Sequence, residues 1–370
     1  MAKKEKEKDE PKSFHERMHA ELDADQKEGY HYGYATGKDV IKFPEMITTG
    51  SLAFDIALEG GFRCGWSRFS GNPQIGKTSQ GLCWAANWQR HFKDDAFVVI
   101  INAEGRVTSD LVIRSGVNVD PKYFLRLDTN NGDYAIDKIN KWVTHNPEGK
   151  RFFFLIDSSD ALNRQHDIDK GAAQAEKIGG GATLLSFTGK RLSLPISVYG
   201  HHLYITSQLR DKMNSPMGGK GESGGNAPRF YSSLSGRMKP YFVKGSDDGN
   251  IYADSSKKET AGKKTIVDLY KSSNEKRSTE LLLHIKIGAT GGIWHEYEVL
   301  YLCETYDLIK SSGTWLSSSE PFTDELVKAK VIDGPFKAQG EMAMVRLFEQ
   351  NKKLTDYITD RLKSTLLHNE

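Results

Sequence analysis

The sequence predicts an α/β fold with a mostly parallel sheet held between helices. Three observations carry that reading. Short β-branched or aromatic runs recur at Arg68-Phe69-Ser70, Phe97–Ile101, Phe152–Ile156 and Leu203–Thr206. Near-continuous apolar runs of this kind suit strands covered on both faces. Between them lie Thr78–Phe92, Asp133–Asn146 and Ala182–Leu194, each long enough to be the crossover helix that parallel strands require. A glycine-rich motif also joins the first strand to the first helix, where such folds bind phosphate.

Composition narrows the class. The 370 residues allow two domains or one large one with appendages. Lys and Arg number 51 against 49 Asp and Glu, a net charge of +2, which excludes an all-over polycation but not a local basic groove. At 38% hydrophobic and 27% charged, the chain can build a globular core. No apolar run approaches the ~18 residues of a membrane span. The opening MAKKEKEKDEPK lacks the apolar stretch of a signal peptide. Cys64, Cys83 and Cys303 are scattered, against a disulfide scaffold or zinc finger and in keeping with a reducing cytoplasm.

Three segments are expected along the chain. Residues 1–45 hold a charged tail and then Ser13–Lys27, where Phe14, Met18 and Leu22 form a narrow apolar stripe suited to docking rather than to folding alone. Residues 46–303 hold the α/β core. Within it 245–277, with six acids and seven bases, reads as an exposed polar insertion, and Leu281–Ile287 and Glu296–Cys303 read as antiparallel edge strands. Residues 304–370 turn helical and amphipathic at Glu341–Gln350 and Leu354–Leu367, a small α-rich domain.

Gly71-Asn72-Pro73-Gln74-Ile75-Gly76-Lys77-Thr78 satisfies G-x-x-x-x-G-K-[ST], with Ser79 following. Its backbone N–H groups can curl round phosphate oxygens, Lys77 places a charge on the β/γ-phosphates, and Thr78 offers a hydroxyl to Mg2+. Asp157, at the end of a buried strand, can support that metal through water, or simply cap a helix. Glu104 stands just past the Phe97–Ile101 strand. A carboxylate there can orient and deprotonate a water, or carry no role at all.

Several segments together resemble the RecA family of recombinases, bacterial RecA or phage recombinases of the UvsX type. Ile47–Leu58 resembles the stretch before the phosphate loop. Asn102-Ala103-Glu104 matches the family's Asp-Ala-Glu with Asn replacing Asp. Gly116–Asp120 and Leu155-Ile156-Asp157-Ser158-Ser159 follow in order. Ser207-Gln208-Leu209-Arg210 resembles Asn-Gln-Ile-Arg, Gly224–Ala227 with Phe230-Tyr231 resembles the second DNA-binding loop, and Ile309–Trp315 resembles the start of the C-terminal region. The resemblance implies a RecA-like ATPase core using ATP and Mg2+. Lys77, Glu104, Gln208 and Lys286 would be catalytic: Glu104 as general base, Gln208 as γ-phosphate sensor, and Lys286 reaching a neighbouring subunit's ATP. His284 stands at the second such lysine position, and Leu111 where a Tyr usually stacks on adenine.

From Leu209 to Pro240 there are six bases and two acids in a glycine-rich stretch, which suits sequence-independent phosphate binding but also fits incidental surface charge. The resemblance assigns DNA contacts to Arg210, Lys212, Lys220, Gly224, Gly225, Asn226 and Arg229, to Gly179 and Gly180 of a first loop, and to Met213 as a wedge between bases. It implies a filament of identical subunits on single-stranded DNA, with ATP at the interfaces, that pairs the strand with homologous duplex. A hexameric helicase or a catalytically weak DNA-binding filament protein are the alternatives. Trp84 and Trp88, four residues apart on the phosphate-loop helix, read as core, and His201-His202 lack a third ligand at metal-binding spacing.

Overall fold

Among the described residues eleven strands form one sheet: β1 (Gly65–Gly71), β2 (Ala96–Asn102), β3 (Phe124–Leu127), β4 (Arg151–Asp157), β5 (His202–Asp211), β6 (Lys220–Glu222), β7 (Leu234–Pro240), β8 (Asn250–Asp254), β9 (Glu259–Lys271), β10 (Thr279–Lys286) and β11 (Gly292–Ile293). The computed structural model describes residues 18, 20, 45–169, 180–211, 220–223, 227–242, 249–254, 259–273, 279–288 and 292–367. The expected docking segment 13–27, apart from residues 18 and 20, lies outside them, as do Gly179, Lys212, Met213, Gly224, Gly225 and Asn226.

The strand order is β11-β10-β9-β7-β1-β5-β4-β2-β3, with β6 on β5 and β8 on β9. From β7 to β3 every neighbour pair is parallel, whereas β9, β10 and β11 add on antiparallel. Successive residues of a strand point to opposite faces, and here both faces are dry. Val98, Ile100, Phe153, Leu155 and Tyr204 enter one core. Val99, Ile101, Phe154, Ile156, Leu203 and Ile205 enter the other. The helix Lys77–Phe92 covers the first with Leu82, Trp84 and Trp88. Helices Gly132–Thr144 and Gly180–Val198 cover the second through Ile136, Ile139, Leu184 and Leu192.

Trp84 and Trp88 are fully buried, and Trp84 stacks on Phe62 with ring centroids 4.4 Å apart. They are core residues. Burying a large apolar side chain contributes about 1.5–3 kcal/mol, so this aromatic cluster fixes the phosphate-loop helix against the sheet.

Two expectations are corrected. The described part of 245–277 is not an exposed insertion, because β9 lies inside the sheet between β7 and β10 and buries Thr265, Val267 and Leu269. Alternate residues Lys264, Asp268 and Tyr270 are half-buried, and their polarity hides the strand's period of two. Glu296–Cys303 is not a strand but most of a helix, His295–Thr305. Its buried Tyr297, Glu298, Val299, Leu300, Leu302 and Cys303 make an almost continuous apolar run, which a short helix and a buried strand share.

Beyond it, helices Glu320–Lys328, Glu341–Gln350 and Lys352–Leu366 accompany a small antiparallel sheet absent from the sequence reading: β12 (Ile309–Ser312), β13 (Trp315–Ser318) and β14 (Lys337–Gln339). Their core (Phe322, Leu326, Met344, Phe348, Ile358) merges with Val299, Leu300 and Leu302 of the preceding helix and with Leu52. Glu298 joins them further, accepting hydrogen bonds from Ser51 Oγ at 2.5 Å and the Leu52 N–H at 3.0 Å. Among the described residues no helix is long and apolar enough to cross a membrane.

Candidate functional site

The phosphate loop is built by the chain leaving β1 at Gly71 and entering a helix at Lys77. Gly76 makes the turn with φ at 93°, a conformation that strains any other residue, and a Cβ there would lie 1.8 Å from Ile285 Cδ1. Ile75 is buried and its carbonyl accepts from Thr265 Oγ1 at 3.2 Å, anchoring the loop to β9. Pro73 and Gln74 are exposed, and Asn72 and Ser79 are half-buried.

Lys77 donates to the carbonyls of Gly71 (2.8 Å) and Asn72 (2.7 Å). Burial pulls its pKa down, and the negative charges of Asp157, Glu104 and Asp160 work against that. A buried ammonium held only by carbonyl dipoles is suited to receive an anion. Beside it Thr78 Oγ1 donates to Asp157 Oδ2 at 2.9 Å, and Thr206 Oγ1 to Asp157 Oδ1 at 2.6 Å. Burial raises the Asp157 pKa, opposed by those two hydroxyls. A buried carboxylate next to a hydroxyl, all oxygen donors, fits a hard divalent cation such as Mg2+.

Glu104 is carried on the loop after β2. That loop is pinned by the Ala103 and Glu104 N–H groups donating to the Asp157 carbonyl, at 2.9 and 3.3 Å. Asn102 serves the same loop: its Nδ2 donates to Asp128 Oδ1 at 2.6 Å and its Oδ1 accepts from the Val107 N–H at 3.1 Å. Glu104 Oε1 accepts from Gln208 Nε2 at 2.9 Å and from Ser158 Oγ, while Oε2 faces exposed Arg106 at 3.2 Å. Gln208 is paired in register with Gly71, and its own N–H donates to Asp160 Oδ2 at 2.8 Å. Phosphate loop, Glu104 and Gln208 therefore share one end of the sheet. From Gln208 the chain runs directly into the β5–β6 hairpin, where Arg210 pairs with Gly221 and Asp211 with Lys220. Arg229 is exposed on the short helix Ala227–Tyr231. Gly180 is the first residue of the helix Gly180–Val198.

A family model, the RecA N-terminal domain, matches residues 32–272, more than half of the chain. The chain belongs to the RecA family. It is a RecA-type recombinase, and its relatives agree. Protein RecA of Bacteroides thetaiotaomicron is 28% identical over 290 residues, covering 77% of this chain and 81% of that protein. Protein RecA of Porphyromonas gingivalis is 25% identical over 333 residues, 89% of this chain and 88% of its own. Protein RecA of Nitratidesulfovibrio vulgaris is 29% identical over 276 residues, 74% and 71% respectively.

This RecA-type core has a cavity of about 360 Å³ beside the phosphate loop. Gln74, Gly76, Thr78 and Ser79 line one side, and Leu111, Arg114, Lys263, Ile285, Lys286, Ile287 and Gly288 the other. The sequence reading missed Arg114, Lys263, Ile285, Ile287 and Gly288. They arrive from α/β elements distant in the chain, and only the alternating pattern hidden in β9 and β10 could have flagged the last strands. Lys286 lines the cavity of its own chain and forms an ion pair with Glu349 at 2.6 Å. His284 is fully buried and stacked on Tyr297 at 4.6 Å, so it packs within the fold. His201 and His202 are likewise buried, and their pKa values are pushed down to about 3 by burial.

Proposed function

We propose that this RecA-type recombinase hydrolyses ATP with Mg2+ when it holds single-stranded DNA, assembles into a helical filament with ATP at subunit interfaces, and pairs the bound strand with homologous duplex. The observation that supports the reading most is the Gln208–Glu104 hydrogen bond at 2.9 Å. It joins the candidate base to the strand that leads straight into the DNA-binding hairpin.

Lys77 neutralises the terminal phosphates, and Thr78 and Asp157 hold Mg2+, which supplies further neutralisation of phosphate charge. Glu104 orients the attacking water and accepts its proton. Gln208 leaves Glu104 for the γ-phosphate when ATP is bound, and its movement orders the segment Arg210–Tyr231 over DNA. Arg210, Lys220 and Arg229 supply phosphate contacts.

ATP turnover measured with and without single-stranded DNA tests this directly. Turnover is expected to rise sharply with DNA and to vanish in Lys77→Ala. Electron microscopy of the protein with ATP and DNA is expected to show helical filaments. Closed rings, or equal oligonucleotide affinity with and without a non-hydrolysable ATP mimic, would overturn the reading.

A further inference from the structure

A single buried carboxylate lies at the foot of the β5–β6 hairpin. Glu222 ends β6, and Arg68 sits mid-way along β1. Their side chains are 4% and 1% exposed and meet at 3.3 Å. Ser70, the residue before the phosphate loop, donates its hydroxyl to the other carboxylate oxygen at 2.8 Å. Tyr270 of β9 donates its hydroxyl at 3.0 Å, and Arg237 of β7 approaches to 3.5 Å. Arg229, on the DNA side, comes within 3.7 Å. Arg68 also holds β5 and the turn after β6, through Ser207 Oγ at 3.1 Å and the Ser223 carbonyl at 2.5 Å.

Arg68, buried beside it, and Arg237 and Arg229, from the solvent side, thus converge on one buried carboxylate. Such a group cannot slide away from its partners without leaving a buried charge uncompensated, so displacement of one strand is carried to the others. Hydrogen-bond and ion-pair networks of this kind can carry energetic coupling between sites.

We infer that Glu222 is a positioning residue that ties the base of the DNA-binding segment to the strand ending in the phosphate loop. Through Ser70 and Arg68 it senses where β1 stands, and through β6 and Arg229 it sets where the hairpin stands. Gln208 meets the same segment through its backbone, its carbonyl accepting from the Ser223 N–H at 3.4 Å, while its side chain turns to Glu104. The inference rests on the proposal that Arg210–Tyr231 holds DNA in a nucleotide-dependent way.

The test compares oligonucleotide affinity, with and without a non-hydrolysable ATP mimic, in the wild type, Glu222→Gln and Ser70→Ala. Thermal melting and nucleotide affinity in the absence of DNA are measured on the same samples. Glu222→Gln keeps the shape and removes the charge. The gain in DNA affinity brought by nucleotide is expected to shrink about tenfold, while nucleotide affinity without DNA changes less than about threefold. A merely structural role would lower the melting temperature and leave the gain intact, and that result in a folded variant overturns the inference. Should Glu222→Gln fail to fold, Ser70→Ala decides, since it deletes one hydroxyl contact and leaves the ion pair: a gain reduced about threefold supports the tether, and an unchanged gain rejects it. If the wild type itself shows no gain, the proposed function fails, and the tether has nothing to transmit.

Discussion

Gln208 and Glu104, 104 residues apart in sequence, are joined by one hydrogen bond of 2.9 Å between amide and carboxylate. The bond occupies an oxygen of Glu104 that a base must have available for water. Replacing Glu104 by Gln is expected to lower DNA-stimulated turnover by roughly 10²–10⁴-fold, the usual reach of general base catalysis. Equilibrium nucleotide binding should change little. In Gln208→Ala the ratio of turnover with DNA to turnover without it should fall toward one, and a wild-type ratio would show that the contact carries no signal.

Lys286 lines the cavity beside the phosphate loop while Glu349 of the C-terminal region pairs with its ammonium at 2.6 Å, each side chain 29% exposed. An ion pair this exposed is worth at most about 1 kcal/mol. Glu349→Gln releases the lysine toward the phosphates, so ATP affinity should rise about two- to fivefold, with Lys286→Ala moving it the other way. Isothermal titration at low and high salt checks both, and the differences should shrink at high salt.

His284 is buried with neither ring nitrogen hydrogen-bonded among the described residues, and burial pushes its pKa down to about 3, assisted by Lys264. The unfolded chain binds a proton on this residue below pH ~6.5 that the folded chain refuses. Stability from this group is therefore present above that pH and is lost as pH falls. His284→Leu should raise the melting temperature, by several degrees more at pH 5 than at pH 8. An equal shift at both would refute a neutral buried imidazole.

Arg229 is exposed beside the hairpin and also lies over the Tyr270 ring at 5.4 Å. If it contacts a phosphate, Arg229→Ala should reduce the slope of log affinity for single-stranded DNA against log salt by about 0.7. Competition binding at several salt concentrations measures it, and an unchanged slope would remove Arg229 from the DNA contacts.

Four strands of the parallel half (β1, β2, β4 and β5), the phosphate loop and Asp157 could be read from sequence because their signals are local, whereas β3 and β7 were not read. An apolar run followed by Asp, or glycines at fixed spacing before Lys-Thr, is visible within ten residues. Of the antiparallel half only Leu281–Ile287 was legible, and it falls in β10, antiparallel to β9. In β9 the buried Thr265, Val267 and Leu269 alternate with Lys264, Asp268 and Tyr270, and the charges dominate any average over the stretch. Helix His295–Thr305 failed for the opposite reason: its buried residues Tyr297–Leu300, Leu302 and Cys303 follow one another so closely that no helical period stands out. Glu222 looked like a stray acid in a basic loop. Only the fold places Arg68, from 154 residues away, against it.

β9 has a further consequence for anyone shortening this protein. It is hydrogen-bonded to β7 on one side and β10 on the other. A truncation ending near Gly249 would leave β7 with a bare row of N–H and C=O groups, flanked by Met238 and the apolar side chains that β9 now covers. Open edges of that kind recruit other chains. Such a fragment should precipitate rather than report on the ATPase, so dissection by deletion is best begun elsewhere.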